Sequence, residues 1–119
     1  MKKVVLGLLL SIIFATEVHA TNMYLTCYCP ESCPGTITYS GVHVREGIAA
    51  VTEDHIGDIA IVYTTDGEFI GRFECLDKIG TGKKTVIDVW KPDLQSAKEL
   101  MTKTKGKVDV TFIAKEELK

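Results

Sequence analysis

Proline, histidine and tryptophan are scarce in this 119-residue chain, with three, three and one respectively. Cationic excess is missing too: 14 Lys and Arg stand against 16 Asp and Glu. A chain without a basic patch has little to hold a polyanion, so nucleic acid is not an expected partner. Neither His43 nor His55 has a Cys or Ser at a spacing that would mark a nucleophilic dyad. Internal repeats, Pro- or Ser-rich linkers and low-complexity segments are also absent.

Long apolar runs are lacking, with one exception. The chain opens MKKVVLGLLLSIIFATEVHA, in which Lys2 and Lys3 precede an apolar stretch from Val4 to Phe14. That stretch falls short of the ~20 residues a comfortable membrane span needs. Its length suits a secretory signal, and Val18-His19-Ala20 fits small-x-small cleavage. A cleaved signal at 1–20 and one mature domain at 21–119 are therefore expected. The protein would be secreted or extracytoplasmic, without stable membrane insertion after cleavage. A lipoprotein reading centred on Cys27 fails, because Tyr24-Leu25-Thr26 is a poor lipobox. The mature part would have 99 residues, with 12 basic and 15 acidic side chains once Lys2, Lys3 and Glu17 are removed.

All four cysteines, Cys27, Cys29, Cys33 and Cys75, follow the expected cleavage point. An even count in a small exported chain favours disulfides. A Cys27–Cys29 bond is disfavoured, since neighbours two apart on a strand lie near the limit of bridging distance. Cys75 is then expected to pair with either Cys27 or Cys29, and Cys33 with the other. The C-x-C-x3-C spacing is not among the common structural zinc spacings, so no metal is expected, and no cofactor.

Strand signals dominate the rest: Thr21 to Tyr28, Thr36 to Tyr39, Gly41 to Gly47, Ile48 to Val51, Ile59 to Thr64, Glu68 to Leu76, Thr85 to Trp90 and Lys107 to Ala114. Cys29 to Gly35 is a loop, and Thr52 to Gly57 is polar and turn-like. Thr65-Asp66-Gly67 supplies a hairpin turn, and Gly71 marks a bulge. A helix starts at Pro92 or Asp93 and runs to Met101, with Leu94, Ala97, Leu100 and Met101 on one face. Six or seven short strands with one helix are most simply a small closed β-barrel, because closure removes exposed edges.

Two aspartates stand out in CLDKIGTGKKTVIDVW, Asp77 and Asp88. Asp is disfavoured inside strands, so Asp88 between Ile87 and Val89 calls for a reason. Asp77 reads alone as a loop residue capping a turn. The order of five stretches resembles the 3D (Asp-Asp-Asp) domain: Cys27 to Pro30, Thr38 to Gly41, Ala50-Val51-Thr52, Asp77 to Gly80, and Ile87 to Trp90. That domain is a double-psi β-barrel of the MltA-type lytic transglycosylases and of short stationary-phase-survival proteins, related to RlpA-like proteins and expansins. The resemblance spans roughly Leu25 to Phe112. It implies a six- to seven-stranded double-psi barrel with a short C-terminal helix, and peptidoglycan or another cell-wall glycan as partner.

The family's first aspartate falls on Thr52, and its DTGG loop reads Asp77-Lys78-Ile79-Gly80. The resemblance makes Asp88 the acid/base, with Asp77 supporting it through its charge. Thr52, Trp90 and Gly80 become substrate-binding candidates, Trp90 by stacking on a sugar face; its plainer reading is core or rim packing. The activity implied is glycan-strand cleavage by a small lytic transglycosylase. A non-catalytic glycan-binding module is the alternative, favoured by Thr52 and the altered loop.

Overall fold

The computed structural model describes residues 20–31, 35–80 and 85–115. Six strands and one helix follow one another: β1 Thr21–Tyr28, β2 Ile48–Val51, β3 Asp58–Thr64, β4 Phe69–Lys78, β5 Val86–Trp90, α1 Leu94–Thr104 and β6 Lys107–Ala114. The strands close into a barrel in the order β1-β5-β2-β4-β3-β6. Two pairs, β1/β5 and β2/β4, are parallel and the other four antiparallel, so the chain crosses over the barrel ends more than once.

Alternation within each strand builds the interior. Met23 and Leu25, Ala49 and Val51, Ala60 and Val62, Phe73 and Cys75, Ile87 and Val89, and Val108 and Val110 form one buried cluster, two side chains from each strand. Ala60 opposite Phe73 sets a small side chain against a large one, which suits a narrow barrel. That interior is packed solid, so a ligand must bind on the outer face or among the loops.

Helix α1 begins at an Asp93 cap whose carboxylate accepts the Ser96 N–H at 2.7 Å. It ends in a left-handed Lys105, φ 57°, followed by Gly106. Leu100 and Met101 pack onto the core cluster and Ala97 is buried. Leu94, expected on the same buried face, is 45% exposed. The helix docks through its middle and last turns, which leaves its first turn beside β1 uncovered.

Two expected strands are not strands. Residues 36 to 44 form a small loop hairpin with a single bridge between Ile37 and His43. Thr38 donates its N–H to the Val42 carbonyl, and Val44 to Thr36. The barrel closes without this segment, so no ladder edge remains to extend it. β4 also runs two residues beyond Leu76, which puts Asp77 inside a strand and not in a loop.

Neither expected bridge to Cys75 forms: Cys27, Cys29 and Cys75 are not bonded to one another. Cys27 on β1 and Cys75 on β4 are separated by β5 and β2, three strand steps of ~4.8 Å around the wall. Cys75 is a core side chain, 0% exposed. Cys33 and the expected signal residues 1–19 lie outside the described residues.

The β3/β4 register slips between Val62 and Tyr63, leaving Ile70 extra, one residue from the expected bulge at Gly71. A Cβ added at Gly71 would sit 3.0 Å from the Phe73 ring, which the core holds in place. Gly71→Val should therefore cost about 1–3 kcal/mol through overpacking, read as a lower urea midpoint with an unchanged slope.

The Arg45 guanidinium hydrogen-bonds Glu74 and holds its carboxyl below the usual range. A carboxylate with a lowered folded pKa contributes stability above its unfolded pKa, ~4.3, and loses it as pH falls through the folded value. The pair is exposed, so the contribution is under about 1 kcal/mol. Arg45→Gln should flatten the fall in melting temperature below pH ~4.3, and an unchanged acid profile would remove this pair from the account.

Candidate functional site

The site starts from a second register slip. β2 and β4 pair Ala49 with Cys75 but Ala50 with Asp77, so Leu76 is extra. Strict alternation from the inward Cys75 would turn Asp77 inward as well. The bulge turns Asp77 to the outer face, and the freed Leu76 carbonyl accepts the Ser40 N–H at 3.1 Å. On β5, Ile87 and Val89 point into the core and Asp88 points out.

Asp88 pairs with Ala50 on one side and Thr26 on the other. Thr26, Asp88, Ala50 and Asp77 thus form one row across β1, β5, β2 and β4. The two aspartates flank the same alanine, two strand spacings or ~10 Å apart. Both pair with Ala50 and turn away from the core.

Their surroundings differ. Thr26 Oγ1 donates to Asp88 Oδ1 at 2.9 Å, which orients that carboxyl from the neighbouring strand. Asp77 receives three donors: the Tyr28 hydroxyl at 3.1 Å, the Tyr39 N–H at 2.9 Å and its neighbour Lys78 N–H at 3.0 Å. Asp77 is a clamp that ties the 36–44 hairpin to the barrel. Tyr28 lies on β1, so its hydroxyl ties that strand to Asp77 on β4. Ala50, between the two aspartates in the row, is 4% exposed.

The other expected residues divide. Thr52 is extended, φ −67° and ψ 159°, and continues β2 beside the row. Its hydroxyl donates to Asp54 Oδ1 at 2.6 Å, in a local turn and not to either aspartate. Trp90 follows Asp88 on the outer side of β5, half-buried and paired with Tyr28. At Gly80 an added Cβ would meet nothing within 4 Å, so the space around it does not demand glycine.

Sequence reasoning passed over Thr26 and Tyr28, and offered Tyr39 only as a ring that could stack on a sugar. Alternation from Cys27 already puts the first two on one face, but nothing in the sequence says β5 lies beside β1. Tyr39 is 59% exposed, and the Lys78 ammonium stands 5.2 Å from its ring while ion-pairing with Glu53.

A groove of about 500 Å³ opens next to Asp88, between β1 and α1, with Thr26 and Cys27 on one wall. Burial, and then the charge of Asp88, push the Cys27 thiol up to about 11. The thiol is neutral at ordinary pH and is a wall of the groove, not a nucleophile. His55 pairs with Asp58 at 3.0 Å and stacks on Phe112 at 3.7 Å. Among the described residues no group of three or more His, Cys, Asp or Glu could hold a metal ion.

Asp77→Ala should loosen the 36–44 hairpin, costing about 1 kcal/mol and speeding amide exchange at Tyr39. Tyr28→Phe removes one of the three donors and should have a smaller effect in the same direction. Unchanged exchange at Tyr39 in Asp77→Ala would mean the clamp does not hold the hairpin. No protein-family model, curated protein or solved structure matches this chain.

Proposed function

We propose that this is an exported cell-wall protein that cleaves peptidoglycan glycan strands as a small lytic transglycosylase, with Asp88 as acid and then base. The observation that carries the reading is the placement of Asp88. Its carboxyl stands on the outside of a strand and is oriented by Thr26, which also lines a groove. The barrel interior is filled, which favours a site on the outer wall or among the loops. The resemblance of the same stretches to the 3D domain adds the substrate class, and with it export behind a signal at 1–20.

The chemistry needs one carboxyl. Asp88 in its acid form gives its proton to the glycosidic oxygen, and the C1–O bond breaks with its electron pair going to that oxygen. The resulting carboxylate then removes the proton of the sugar's own 6-hydroxyl as O6 bonds to C1. The product is a 1,6-anhydro ring; no water attacks, so the paired-carboxylate arrangement of hydrolases is not required. Asp77 acts at a distance of ~10 Å as a positioning residue, holding Tyr28 and the Tyr39 hairpin beside the row.

A second reading, a glycan-binding module without catalysis, is favoured by one observation: the Asp77 carboxylate is taken up by three donors, and Thr52 carries no charge. The two readings separate on one variant. Asp88→Asn should abolish release of anhydro-muropeptides from purified cell wall, about 10²-fold or more, while circular dichroism stays unchanged. Cell-wall binding by the unaltered protein with no product released would install the second reading.

A further inference from the structure

Resting on the reading of Asp88 as acting on glycan strands, we infer that the groove between α1 and β1 is the subsite for the peptide-bearing sugar, with Lys98 taking a stem-peptide carboxylate. Three observations converge on this groove. It is joined to the reacting position by one residue: Thr26 lines it and also bonds Asp88. No other described groove shares a residue with the aspartate row.

Its walls are largely apolar. Cys27, Leu94, Ala97 and Met101 line it, and the Cys27 thiol remains protonated. This surface suits acyl and alanyl methyl groups better than a bare polyhydroxyl ring. The size fits as well, since pockets for compact ligands run ~300–1,000 Å³ with few polar groups. The exposed first turn of α1 gains a purpose here: Leu94 is 45% exposed because it forms the groove's outer lip.

Charge is the third feature. Lys98 is exposed on the rim, and it enters no ion pair among the described residues. Lys78, Lys91, Lys103 and Lys115 are each paired with a glutamate, and the other described lysines without an ion pair, Lys105 and Lys107, do not line this groove. An uncommitted ammonium beside an apolar groove complements a short peptide that carries a methyl group and a carboxylate.

The test uses the full chain and two probes: N-acetylmuramyl-alanyl-isoglutamine, and glycan strands stripped of their peptides. The muramyl dipeptide should shift the amide resonances of Thr26, Ala97, Lys98 and Thr102. Lys98→Glu should lower the preference for the peptide-bearing probe over stripped glycan about tenfold, the loss expected for one charge-assisted hydrogen bond. Groove shifts that Lys98→Glu abolishes, in a protein that releases no anhydro product, would keep the subsite and remove the transglycosylase reading. Asp88-dependent cleavage with no groove shifts, or with the preference unchanged in Lys98→Glu, would keep that reading and overturn the subsite. Neither binding nor cleavage would overturn both.

Discussion

The site depends on one extra residue in β4. With Leu76 bulged, Asp77 pairs with Ala50 and turns outward. Without it, Asp77 would share the inward parity of Cys75 and put an unpartnered carboxylate into a core of Val, Ile and Ala, at a cost of several kcal/mol. The same slip frees the Leu76 carbonyl for Ser40 and brings Asp77 under the Tyr39 amide. Bulge, hairpin clamp and aspartate row are therefore one arrangement.

Barrel size accounts for where the chemistry goes. Six strands enclose only enough room for twelve side chains, two per strand, so the interior is structural. The candidate site therefore lies on the outer wall, where strands supply rigidity that loops would not. Asp88 has core residues on both sides in sequence, Ile87 and Val89, each 0% exposed. That anchoring holds its backbone still while the Thr26 hydroxyl fixes its rotamer from the parallel strand alongside. The helix adds the remaining element, docking by its later turns and leaving its first turn as a lip.

Much of the local structure was legible. β1 and β6 follow the alternation of their residues, β2 was legible as a short apolar run, the Asp66-Gly67 turn joins β3 to β4, and Asp93, one of two expected starts, caps the helix. Asp88 was legible as an anomaly, a charge between two strand formers. The misreadings share one cause. Ile37 to Val44 has strand-like composition, yet the barrel closes without it. Cys27, Cys29 and Cys75 invited a bridge to Cys75, but β5 and β2 intervene between β1 and β4. Asp77 read as a loop residue because a bulge carries no signal in a single sequence beyond a broken alternation.

The sequence by itself determined the six barrel strands and the helix as element types, and the presence of a carboxylate in the middle of β5. Those follow from period-two alternation and capping, which act within a few residues. Only the tertiary structure decided that Thr26, Asp88, Ala50 and Asp77 stand in one row, that Tyr28 bridges β1 to Asp77, and that a groove adjoins Asp88. Each of these depends on which strands lie side by side and in what register. Those choices are made by barrel closure and packing between residues far apart in the chain, 62 positions for Thr26 and Asp88 and 87 for Asn22 and Asp109.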